Sequence, residues 1–106
     1  MSGHEVLISE GHRLVVFNDL GQWVQDIVPL FPEGMPGFGV IRGLGIDQDG
    51  RIFVADPDHS RVVVLQRDGR VSAVFPVPSP EDIYAWGDLV FVTDSQRHKI
   101  LKFRRL

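Results

Sequence analysis

Three histidines in this chain stand beside three acids. Glu10 is followed by His12, Asp56 by His59 and Asp94 by His98. Imidazole and carboxylate at such spacing could hold a metal, since zinc takes nitrogen and oxygen ligands at about 2 Å from one point. Each acid is also followed by a cation, Arg13, Arg61 or Lys99. The same carboxylates could therefore pair with that cation or accept loop backbone N–H groups. Asp56 and Asp58 flank Pro57, which is too few oxygens for calcium. Nucleophilic catalysis has no support. The chain has no cysteine, no Gly-x-Ser-x-Gly and no phosphate-cradling loop. Ser60 beside His59 is an ordinary loop pairing, and His4 has no evident partner.

The elements that carry these residues are short strands. Leu44 to Ile46, Ile52 to Ala55, Val62 to Leu65 and Val71 to Phe75 are β-prone runs. Asp49-Gly50 and Asp68-Gly69 predict tight type I′ hairpins, with positive φ at both central residues. The result is a four-strand antiparallel meander. Its apolar runs are nearly continuous, whereas a strand with one wet face alternates. Val62 to Leu65 therefore expects cover on both faces, as in a propeller blade stacked between two others.

Shortened copies of this pattern lie on either side. In Val6 to Gly21, Phe53 to Gly69 and Phe91 to Phe103, a strand ends in a small residue plus an acid. These endings are Ser9-Glu10, Ala55-Asp56 and Thr93-Asp94. A polar loop, a cation and a second apolar strand follow. The pattern resembles the NHL repeat, whose units build β-propellers. The resemblance rests on Phe53-Val54-Ala55-Asp56, His59-Ser60-Arg61-Val62 and Asp68-Gly69. It extends to Thr93-Asp94 with His98-Lys99-Ile100 and Phe103, and to Glu10 with His12-Arg13-Leu14. The match of Gly43 to Asp47 is loose, and the first loop is two residues shorter.

The resemblance implies an all-β fold of NHL-like propeller blades, with residues 1–106 as one propeller segment. Blade one spans 5–28, blade two 43–76 and blade three 82–106. With strands lettered a to d from the axis outward, the chain reads bcd, abcd, abc. It also implies that the loop histidines are structural, because equivalent sites spread around a ring cannot converge on one metal. Acids repeated in every blade read as scaffold, since a catalytic acid is usually singular. No metal and no cofactor is expected. Some related propellers are lactonases or lyases that use channel-facing metal ligands. Here the inner strands offer only Asp47, Asp82 and Tyr84.

Two connections stand out. Residues 29–42, PLFPEGMPGFGVIR, break regular structure yet carry Phe31, Met35 and Phe38. Such a loop is either a binding surface or one that tucks its apolar side chains beneath itself. The strand order puts it on the same face as Asp56 to Ser60. The candidate binding residues are Phe31, Met35, Phe38, Arg42, Asp56, Asp58 and His59, with Tyr84 and Trp86 on an inner strand. Either aromatic could reach the central channel or pack in the core.

Charge and size bound the rest. The net charge of −3 divides unevenly. Residues 1–96 hold six basic against 14 acidic residues, a net of −8, while residues 97–106 carry +5. The basic end is either a solvated tail or a docking face. Arg97, Lys102, Phe103, Arg104 and Arg105 are the candidate subunit contacts. The acidic remainder argues against nucleic acid. No apolar run reaches membrane-span length, and the start lacks a secretory pattern. A cytoplasmic or virion-associated setting fits. Three blades at most leave two apolar flanks bare, while closed propellers use four to eight blades. The expectation is a homodimer closing a six-bladed ring, the alternative being a piece of a longer propeller or an arc that docks on a different protein. The expected function is a non-enzymatic binding or scaffold module contacting a protein, glycan or assembly partner. The alternatives are a structural subunit of a larger particle and a channel-metal lyase or lactonase-like enzyme.

Overall fold

One hairpin recurs three times and sets the strand spacing. In a computed structural model describing residues 5–10, 13–86 and 88–104, Gly21, Gly50 and Gly69 all have positive φ. Each N–H bonds back three residues, to the carbonyls of Asn18, Asp47 and Gln66 at 3.0, 3.0 and 2.9 Å. Asp49 and Asp68 are not left-handed. That leaves a type I turn closed by a left-handed glycine, and corrects the expectation of type I′. A three-residue connection needs positive φ only at its last position, and glycine supplies it. The acid has another task. Asp47 Oδ1 accepts the Asp49 and Arg51 N–H groups at 3.0 and 2.9 Å, and Asp68 Oδ1 accepts that of Arg70 at 3.0 Å.

These turns and the longer loops separate ten strands among the described residues. Blade one is β1 (Glu5–Glu10), β2 (Arg13–Asn18) and β3 (Trp23–Ile27). Blade two is β4 (Gly43–Ile46), β5 (Ile52–Asp56), β6 (Arg61–Leu65) and β7 (Val71–Pro76). Blade three is β8 (Pro80–Trp86), β9 (Leu89–Asp94) and β10 (Lys99–Arg104). Each sheet is an antiparallel meander in chain order. Among the described residues the three sheets do not close a ring. Among the described residues no helix is long and apolar enough to cross a membrane.

The core lies between sheets. β5 and β6 are buried at every residue. On one face Ile52, Val54, Val63 and Leu65 meet Leu14, Val16 and Ile27 of blade one. On the other, Phe53, Val62 and Val64 meet Val90 and Val92 of blade three. Fully burying such a side chain stabilises by about 1.5–3 kcal/mol. The continuous apolar runs follow directly, since both pleat faces are dry. In blade three β8 and β9 alternate instead, because among the described residues one face of that blade has no neighbour.

Two glycines allow close approaches. Gly43 lies against the Glu81 carbonyl, where β4 and β8 run side by side. Gly69 meets the Val28 carbonyl, while Leu30 N–H donates to Gly69 O at 2.8 Å. Gly69→Ala therefore adds a steric clash to an unfavourable φ, whereas Gly21→Ala adds only the φ penalty, having nothing within 4 Å of the new methyl. Urea unfolding should show Gly21→Ala costing about 1–2 kcal/mol and Gly69→Ala at least about 1 kcal/mol more.

Candidate functional site

The Asp56–Arg61 loop is the most tightly built polar feature. β5 and β6 pair Asp56 with Arg61, and a single 3-10 turn, Pro57–His59, spans them. Proline starts this turn and Ser60 ends it with φ 50°. The turn aims three groups at the fully buried Asp56 carboxylate. Arg61 Nε donates to Oδ2 at 2.9 Å, and His59 Nδ1 lies 2.9 Å from the same oxygen. The Gly39 N–H reaches Oδ1 at 3.2 Å.

That last bond brings in residues 29–42. The Arg61 guanidinium also donates to the carbonyls of Pro36 and Gly37 at 2.8 and 3.0 Å. Val40 N–H donates to Asp58 Oδ2 at 2.9 Å. Phe31 and Phe38 meet edge to face, 4.9 Å between centroids, with the guanidinium 5.6 and 5.9 Å from their rings. Both also pack on the core between blades one and two. The loop thus tucks its aromatics under itself. Met35 is half-buried, while Arg42 and Asp58 are exposed.

The acids at equivalent positions fare differently. Asp94 is buried, and its Oδ1 accepts the Gln96 and Arg97 N–H groups at 3.1 and 3.3 Å. Its Oδ2 is buried without a hydrogen-bond partner among the described residues, with Arg97 Nε 3.7 Å away. The side chain of Glu10 is 63% exposed and bonds Arg13, which also reaches Asp26. The hydrogen bond from Arg13 to Glu10, then the charge of Asp26, hold the Arg13 guanidinium above its ordinary pKa. The cause of the contrast is position. This acid faces the preceding blade, and among the described residues no sheet precedes blade one. His98, at φ 53°, matches Ser60 rather than His59 in its loop. His4, His12 and Arg105 lie outside the described residues.

The inner strands keep their acids apart. Asp47 is held at the end of β4 by its turn and by Arg51 Nε at 3.0 Å. Asp82 lies near the start of β8, level with Gly43, and its N–H donates to Thr93 Oγ1 at 2.9 Å. Strands side by side rise about 3.3 Å per residue, so the two acids sit near opposite ends. Among the described residues no three His, Asp or Glu side chains are grouped to hold a metal.

Of the twelve large apolar residues exposed among the described residues, six lie on the two outer flanks, and Leu20, Val24, Val28, Leu30, Val40 and Val74 lie elsewhere. Register places Val6 beside Phe17 and Trp23, and Ile8 beside Val15 and Asp26, on the free face of blade one. On blade three it aligns Tyr84, Phe91 and Lys102, then Trp86, Leu89 and Arg104. Trp23, Tyr84, Trp86 and Ile100 are 62%, 59%, 67% and 66% exposed. Tyr84 and Trp86 therefore line a flank together, 6.3 Å apart. Phe103, expected at a subunit junction, points the other way and stacks on Phe75 at 4.9 Å. Residue types alone do not reveal Val6, Ile8, Phe17 and Trp23 as flank residues. Strand parity does, because they share a face with Glu10.

No protein-family model matches the chain, and no curated protein is significantly similar to it. Solved structures do resemble it. A catalytically inactive virginiamycin B lyase from Staphylococcus aureus, crystallised with quinupristin, superposes with TM-score 0.62 at 15% identity, over 92% of this chain and 33% of that one. A streptogramin B lyase gives 0.57 at 12% identity, over 96% and 37%. A selenomethionine form of the S. aureus enzyme gives 0.53 at 14%, over 98% and 39%. The chain spans little more than a third of the length of these neighbours. They are β-propellers, and the likeness shows a propeller-like all-β fold.

The buried ion pair yields a test. Arg61→Ala leaves Asp56 charged and buried, and should cost about 3–5 kcal/mol in urea unfolding. It should also open residues 29–42 to limited proteolysis. Arg70→Ala, at the exposed Asp68 pair, should leave the urea midpoint almost unchanged.

Proposed function

We propose that this chain is a non-enzymatic assembly and binding module: a three-blade arc that closes into a six-bladed ring with a second copy. The observation that supports this is the pair of bare apolar flanks. In the interior of the arc the equivalent faces are dry. At its ends they present Val6, Ile8, Phe17 and Trp23 on one side and Tyr84, Trp86, Leu89 and Ile100 on the other. Soluble proteins rarely leave such patches open. Charge does not decide the closure, since Glu10 and Asp26 on one flank already pair with Arg13, and Arg104 on the other pairs with Asp88. Two head-to-tail contacts related by a two-fold axis close a ring.

In this reading residues 29–42 and 56–60 form one rigid face that offers Arg42, Asp58, Val40 and His59 to a protein, glycan or assembly partner. A ring used as a joint in a larger particle is the same geometry in another setting. The lyase reading has fold likeness behind it, and fold alone does not carry an activity.

Light scattering after gel filtration should return twice the chain mass at micromolar concentration. Trp86→Glu should weaken association by about 30-fold or more, as for a buried aromatic anchor, and shift the sample to monomer. A stable wild-type monomer would sink the proposal.

A further inference from the structure

The two junctions between blades are built alike and filled differently. At the first, Arg67 of blade two donates to both carboxylate oxygens of Glu5 at 2.9 and 3.2 Å and to Gln25 Oε1 at 3.0 Å. Gln25 Nε2 returns a bond to the Arg67 carbonyl at 3.2 Å. Register identifies the matching residues at the second junction. Glu10 and Asp56 pair with Arg13 and Arg61, which aligns Glu5 with Arg51. Val16 and Val64 pair with Gln25 and Ala73, which aligns those two. The second junction therefore has a methyl where the first has an amide, and a cation where the first has a carboxylate. Counted from Lys99, which pairs with Asp94, Arg105 corresponds to Arg67 in sequence and lies outside the described residues. Between the packed faces of blades two and three a cleft of about 230 Å³ remains. Phe53, Val64, Ala73 and Phe75 of blade two and Val90 and Phe103 of blade three wall it. Its polar members are Arg51 and Arg104, and Arg104 already bonds Asp88 at 2.9 Å. Arg51 gives Nε to Asp47 at 3.0 Å, and its terminal nitrogens make no hydrogen bond among the described residues.

We infer that this cleft binds a small aromatic monocarboxylic acid, its ring between the blades and its carboxylate on Arg51. The site lies within one chain and does not depend on ring closure. The first junction shows the pairing, since there the chain supplies its own carboxylate, Glu5, to a guanidinium. At the second the matching position is itself a cation, and among the described residues no acid lines the cleft. An apolar cavity of roughly 150 Å³ takes benzene, so this one has room for one or two fused rings. Burial of the ring supplies most of the affinity. The guanidinium selects the anion, because two parallel N–H groups match a carboxylate. Asp47 offsets part of the Arg51 charge, so that selection is modest.

The test titrates the full chain with naphthoate and with its neutral match, naphthamide, by isothermal calorimetry. Saturable binding of the acid is expected at millimolar ligand or below, with the amide at least about fivefold weaker. Ala73→Gln places in the cleft the side chain found at the first junction. It should weaken the acid at least about tenfold in a protein whose circular dichroism is unchanged. Arg51→Gln should bring acid and amide to equal affinity. Should either variant fail to fold, the comparison of acid with amide on the unaltered chain still decides. No binding of the acid at several millimolar, equal binding of acid and amide, or an Ala73→Gln protein that binds as the parent does would overturn the assignment. Affinity should not vary with chain concentration, because the cleft is internal to one chain. A wild-type monomer that binds naphthoate would count against ring closure and support this site.

Discussion

Stacking of twisted sheets face to face holds this molecule together, and the central sheet is the one that must be dry on both sides. Val62 to Leu65 can be apolar without a break only because blade one covers half of them and blade three the other half. With a single neighbour the sheet would expose either Val63 and Leu65 or Val62 and Val64. Three sheets satisfy the middle one and pass the same problem outward to each end. The exposed tryptophans on the flanks are the unpaired remainder of the interaction that buries the centre.

The repeated acid shows how one sequence position takes its properties from its neighbours. Asp56 lies under a loop and against blade one, where Arg61, His59 and a backbone amide surround it. Asp94 lies against blade two and is equally buried, held by two backbone donors with the Arg97 guanidinium at a longer 3.7 Å. Glu10 has no sheet in front of it and stays in water with Arg13. A buried carboxylate must be paired or it destabilises the fold, so the cation five residues later in blade two answers the burial that the preceding blade creates. The loop of residues 29–42 joins this arrangement through two carbonyls and two aromatic rings. Phe31, Phe38 and Ile41 belong to the core beneath it, while Leu30 and Val40 stay exposed.

Much of the architecture was legible from periodicity. Continuous apolar runs, a small residue plus acid at strand ends, and glycine after an aspartate mark the meanders and their repeats. The turn type was not legible, because Asp-Gly serves both a two-residue hairpin and the end of a three-residue one. Nor was the fate of Phe31, Phe38 and Phe103. An aromatic ring in a loop, or on a basic strand, is equally suited to a partner or to its own core. Only the direction of the side chain decides, and that depends on which sheet lies underneath.

Sequence by itself determined that the chain is all-β, that its sheets are antiparallel meanders, and that the central one needs covering twice. These are local matters, set by side-chain alternation and turn chemistry. Tertiary structure decided which residues remain uncovered and which acid is buried. Those depend on how sheets face one another across many residues of chain, and a face acquires its meaning only when its neighbour is in place.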